Sequence, residues 1–144
     1  MNLFGSWQSW ALLSALFAAL TAIFAKVGIE NVNSDFATFV RTIVILGAAA
    51  AMVTITGSWQ SPGSVSGRSW TFLVLSGLAT GLSWICYFRA LSLGKAAQVA
   101  PIDKLSVVLV AVIAAIFLGE RLSMINWIGV ALIGVGAVLV ALQL

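Results

Sequence analysis

Five apolar runs, each close to the length of a membrane crossing, follow one another along this chain and leave little sequence between them. They are Trp7 to Ala25, Phe36 to Thr56, Trp70 to Leu93, Ala96 to Leu118 and Ile125 to Leu142. About 20 mostly apolar residues in helical form span the hydrocarbon core of a bilayer. A helix lying on a soluble core shows an apolar stripe and a polar face, and none of these runs has a polar face. The chain is therefore predicted to be an all-α membrane protein of five transmembrane helices, forming one domain over residues 1–144. Composition bears on the same point: only 8% of the residues are charged, against roughly 25% in a soluble domain. So few charges leave lipid as the main solvent, and the bilayer as the first partner.

The stretch between the second and third runs, Gly57 to Ser69, holds Pro62, three glycines and five serines, and reads as a turn-rich connection. Trp7, Trp10, Trp59, Trp70 and Trp127 fall at run ends, where indole rings favour the headgroup region. The N-terminus lacks a basic region, and no small-residue cleavage pattern closes the first run, so that run is expected to be retained. Cys86 is a single cysteine and the chain has no histidine. An internal disulfide is thus excluded, and no metal or cofactor is expected. The net charge of +3 is scattered, with no basic block that would suit nucleic acid. No HExxH, CxxC, GxSxG or close acidic pair points to an enzyme, and no catalytic residue is assigned.

Charge is distributed unevenly between the two ends of the helices. With five spans, successive loops alternate sides. Lys26, Glu30, Asp35, Arg41, Arg89, Lys95, Asp103 and Lys104 lie toward one side, and Arg68, Glu120 and Arg121 toward the other. Arg41 is about 8 Å into the second span, and Asp103 and Lys104 are about 10 to 12 Å into the fourth, at 1.5 Å per residue. Arg89 lies one turn from the end of the third. Ionisable groups at such depth commonly face a bundle interior or a watered cavity, and pair. Arg41, Arg89 and Lys104 against Asp103 would suit an anionic or zwitterionic ligand. For Arg41 and Arg89 snorkelling to the interface stays open as an equal reading. It fits Asp103 less well, because its side chain is short. Asp103 and Lys104 point about 100° apart on a helix, so they are not expected to pair with each other.

Pro101 has no N–H and leaves the carbonyl of Ala97 without its helical partner. Such a discontinuity suits a binding site at membrane depth, and equally an ordinary kink near a span end. In the third span Ser76, Thr80, Ser83 and Tyr87 share a face. Gly77, Gly81, Trp84 and Phe88 form the next stripe, whose GxxxG allows close helix approach. These hydroxyls, with Trp84 and Tyr87, would line a pocket for a small polar or aromatic solute, or else bond back to their own helix. The candidate substrate-binding or coupling residues are therefore Asp103, Lys104, Arg41, Pro101, Ser76, Thr80, Ser83, Trp84, Tyr87 and Arg89.

Outside the deep sites the loop cations balance, Lys26 and Lys95 against Arg68 and Arg121, so the positive-inside rule gives a weak orientation. Counting Arg41, Arg89 and Lys104 makes their side cytoplasmic and the N-terminus external. So weak a bias also permits insertion both ways round and antiparallel pairing.

The last two spans, "AAQVAPIDKLSVVLVAVIAAIFLGERLSMINWIGVALIGVGAVLVAL", resemble the end of an EamA repeat of the drug/metabolite transporter superfamily. "ATGLSWICYFRALSLG" and "KVGIENVNSDFATFVRT" resemble the same repeat, so the likeness covers nearly the whole chain. It is most specific in "FLGERLS…WIGVALIGVGAVLV", where Glu120 and Arg121 match a structural charged turn. The resemblance implies a multi-pass inner-membrane secondary transporter, commonly an exporter, of small metabolites such as amino acids and related polar compounds. It also implies alternating access within a ten-helix assembly made from two repeats. One repeat calls for a second copy, most simply an antiparallel homodimer, or for a related half-transporter. Unlike the small multidrug resistance branch, the first span has no carboxylate, which argues against quaternary-ammonium antiport. Asp103 is the foremost candidate for coupling to a proton or other ion. The alternative function is a non-transporting membrane subunit of a hetero-oligomeric transporter.

Overall fold

A computed structural model describes residues 6–142. Among these residues the chain is all helix, with no strand, and five of its helices are long and apolar enough to cross a membrane. They comprise α1 (Trp7–Gly28), α2 (Ser34–Ile55), α3 (Gly67–Leu93), a fourth span running Ala96–Leu118, and a last helix (Met124–Ala141). The fourth span is itself composite: α4 (Ala96–Asp103), α5 (Leu105–Ile113) and a π-helical turn at Ala114–Leu118. The last helix is α6. The fold class thus agrees with the sequence.

The helix limits differ from the apolar runs by a few residues, and capping explains the differences. Lys26 does not end the first helix, which continues to Gly28; a lysine at a helix C-terminus is electrostatically favoured. The second helix starts at Ser34 because the Asn33 side-chain oxygen accepts the N–H groups of Asp35 and Phe36 at 2.9 and 3.1 Å. It ends where Gly57, with φ +63°, turns left-handed. The Gly57 N–H then reaches the Thr54 carbonyl and the Ser58 N–H that of Val53, at 3.2 and 3.0 Å, which satisfies two carbonyls at the end of the helix. The third helix starts at Gly67, three residues before Trp70, since the Ser66 hydroxyl accepts the Ser69 N–H. Part of the polar stretch is therefore helical.

The chain divides into two compact units, one of Met1–Lys26 with Leu93–Leu144 and the other of Val27–Ser92. In the first, α4 and α5 pack against α6. Its buried positions are alanines: Ala22 and Ala25 on α1, Ala111 on α5, Ala114 in the π-helical turn and Ala137 on α6. Gly134 of α6 meets Val108 of α5 so closely that an added Cβ would lie 3.3 Å from Val108 Cγ2. Large apolar side chains point away from the packing instead, with Leu12 72%, Phe117 78% and Ile125 80% exposed. A soluble protein does not leave large apolar side chains exposed along every helix. In a bilayer, where lipid is as apolar as leucine, small residues form the helix contacts and large ones meet the chains.

In the second unit, α2 and α3 are joined by the 56–66 connection, which contains a 3-10 turn at Pro62–Ser64. The Trp59 indole N–H donates to Thr54 Oγ1 at 3.1 Å, and that of Trp70 to the Pro62 carbonyl at 3.3 Å. Both indoles have their polar edge satisfied at a helix end, as the headgroup zone requires.

Candidate functional site

Within the first unit the fourth span breaks where Pro101, Asp103 and Lys104 had marked it. Pro101 lies inside α4. Its missing N–H interrupts the ladder at Ala97. Three residues beyond it the helix tightens: the Lys104 N–H is shared between the carbonyls of Ala100 and Pro101 at 3.3 and 3.0 Å. Lys104, with ψ −7°, then caps α4 and starts α5. The break brings together Pro101, Asp103 and Lys104. It also overturns one expectation, because Lys104 Nζ donates to Asp103 Oδ2 at 3.1 Å. The 100° separation holds for a regular helix. At an interrupted one a long lysine stem curls back to the preceding carboxylate.

The same unit holds a contact the sequence did not suggest. Lys26 Nζ donates to the Gly94 carbonyl at 2.8 Å, fixing the end of α1 to the short turn between α3 and α4. Both residues sit in loops expected on the same side, but nothing in a single sequence says that a lysine there seeks a backbone oxygen.

Within the second unit two cations are held in different ways. Arg89 of α3 forms a bidentate pair with Asp35 of α2: Nε donates to Oδ1 at 3.0 Å and Nη2 to Oδ2 at 2.7 Å. Asp35 was absent from the sequence candidates. The signal for it was present, since opposite charges stand near the same end of two consecutive spans. Arg41 takes the other course. Its guanidinium carbon lies 4.4 Å from the centre of the Trp84 ring and 5.3 Å from that of Phe88. A cation over an aromatic face is attracted by the ring's quadrupole. Beside it, Thr38 is buried with its hydroxyl bonded to the Ser34 carbonyl, and Phe88 and Leu91 are 2% and 0% exposed. Tyr87 is half-buried.

The hydroxyl stripe of α3 is less committed. Ser76, Thr80 and Ser83 are exposed, and Thr80 Oγ1 donates back to the Ser76 carbonyl at 2.9 Å. A Cβ added at Gly77, on the next stripe, would meet nothing within 4 Å. Of the two readings of this face, Thr80 follows the one in which a hydroxyl satisfies its own helix.

Five helices long and apolar enough to cross a membrane, with ionisable side chains inside the limits of the second, third and fourth, define a polytopic membrane protein. The chain belongs to the EamA-like transporter family, which it matches over residues 5–142. It is 64% identical over 136 residues to a Sinorhizobium protein named "Uncharacterized transporter in cobO 3'region", a match covering 94% of this chain and 96% of that protein. No solved structure gives a significant match. The chain is a multi-pass membrane transporter with a single EamA-sized domain, and family and relative alike point away from an enzyme.

Proposed function

We propose that this protein is a secondary transporter of small polar metabolites, amino acids and related compounds, working by alternating access in the export direction from the inner membrane. The observation that carries the reading is the interrupted fourth span, where an aspartate and a lysine pair at a helix break. Transporters of several folds bind substrate and coupling ion at discontinuous helices near the bilayer midplane, because the freed backbone groups and helix ends face the solute. In this reading Asp103 exchanges a proton or another ion, and Lys104 is the charge it releases when it does so. Pro101 keeps the break open. Within the second unit, Ser76, Thr80, Ser83, Trp84, Tyr87, Arg41 and Arg89 are the further candidates for binding the solute.

The single domain supplies five helices, and the similar Sinorhizobium protein is matched over 96% of its own length by a chain of this size. In this reading the working carrier pairs two such domains, antiparallel copies or paired half-transporters. Thiol labelling of Ser61→Cys in a Cys86→Ser background reads the orientation directly, and one uniform orientation excludes antiparallel copies. The coupling role is tested with Asp103→Asn in proteoliposomes: a pH gradient then no longer drives uptake of labelled amino acids. Uptake that responds to the gradient as in the wild type removes Asp103 from that role.

A further inference from the structure

The chemistry of the solute follows from Arg41, and the inference rests on the transport reading just given. Arg41 lies seven residues beyond Ser34, about 10 Å along α2. Trp84 and Phe88, over which it sits at 4.4 and 5.3 Å, are one helical turn apart and share a face of α3. The rings meet the charge of the guanidinium and offer it no oxygen acceptor. Its five N–H donors lie in its plane and stay available at its edge. Among the described residues none of these donors meets a hydrogen-bond acceptor, and no carboxylate lies within ion-pair distance.

The neighbouring charges do not supply the missing partner. Asp35, on the same helix of the same unit, has both oxygens on Arg89. Arginine does not shed its proton to escape the cost of an apolar medium. A guanidinium inside a spanning helix, left with unmatched donors by the described residues of its own unit, suits an anionic ligand. The planar two-oxygen fork that answers a guanidinium edge is a carboxylate. Phe88 is buried and Trp84 only half-buried, so Trp84 is the ring that a bound solute reaches.

We propose that Arg41, backed by Trp84 and Phe88, is a carboxylate-accepting site, and that the transported solutes are small carboxylate-bearing molecules whose acid group docks on the free edge of that guanidinium. The Asp35–Arg89 pair lies outside this site and ties α2 to α3 beside it. A lipid phosphate offers the same oxyanion chemistry, so the test separates the two sources.

The purified chain in maltoside micelles, which contain no phosphate, is titrated by calorimetry with phenylacetate and L-phenylalanine, each against its own amide. The wild type binds at least one acid tenfold or more tightly than its amide. Arg41→Gln abolishes the preference, Arg41→Lys keeps part of it, and Trp84→Phe weakens both acids without reversing it. Arg41→Lys and Trp84→Phe decide the matter if Arg41→Gln is not monodisperse by size exclusion. Equal binding of acids and amides, no binding of either acid, or a preference that survives at Arg41→Lys undiminished overturns the proposal. In phosphatidylglycerol nanodiscs the preference persists; its disappearance there gives the site to lipid phosphate and overturns the solute assignment. Flux of labelled phenylalanine in proteoliposomes is measured alongside. Acid preference without flux refutes transport and leaves the site standing, whereas flux without acid preference refutes the site alone.

Discussion

A methyl group at Gly134 tests the helix packing of the first unit with an internal control two residues away. Glycine to alanine in a helix interior gains roughly 0.5–1 kcal/mol wherever the Cβ has room. At Gly134 it has little, because the new Cβ lies 3.3 Å from Val108 Cγ2. Val108 is β-branched and has one strongly preferred rotamer in a helix, so it cannot swing aside cheaply. Overpacking of this kind costs about 1–3 kcal/mol. At Gly136 the added Cβ meets nothing within 4 Å. The propensity gain is common to both sites and cancels, so Gly134→Ala is expected to be about 1–3 kcal/mol less stable than Gly136→Ala. Val108→Ala removes the opposing methyl and recovers most of that difference. Reversible unfolding in mixed micelles, followed by tryptophan fluorescence, measures all the variants. Equal stability of the two alanine variants, or strict additivity of Gly134→Ala with Val108→Ala, refutes the close approach of α5 and α6.

Two further outcomes follow from the fold. Gly119 ends the fourth span with φ +67°, so Gly119→Ala is expected to cost about 1–2 kcal/mol, while Gly119→Asn costs less because asparagine tolerates that conformation; thermal unfolding in micelles ranks the three. Asp35→Asn and Arg89→Gln each open the α2–α3 clasp, and the exchanged pair Asp35→Arg with Arg89→Asp recovers part of the lost thermal stability, whereas full additivity of the two single changes speaks against the pair.

What the sequence made legible was set by periodicity and by solvent. Five apolar runs without a polar face admit one environment, so the spans and the all-helical class were readable from residue types alone. The break at Pro101 was readable because proline's missing N–H is a local property. The helix ends were less so: Asn33, Ser66 and Gly57 act through capping bonds that move a boundary by one to three residues without altering the hydropathy. Pairings between elements were least legible. Asp103 and Lys104 were expected to point apart, which a regular helix requires, and the interrupted helix lets the lysine return. The partner of Arg89, the aromatic stack under Arg41 and the Lys26–Gly94 bond all join residues far apart in sequence. A single chain of letters encodes such contacts only through the packing that produces them.

The central claim is that this five-helix chain, in its simplest assembly as paired copies of itself, moves small polar solutes across a bilayer. Purified protein reconstituted into liposomes and supplied with labelled amino acids addresses it directly. The account predicts saturable flux above that of protein-free liposomes, competed by unlabelled solute. Flux no greater than in protein-free liposomes, together with a second chain that copurifies and restores it, contradicts the account and makes this protein a subunit and not the carrier.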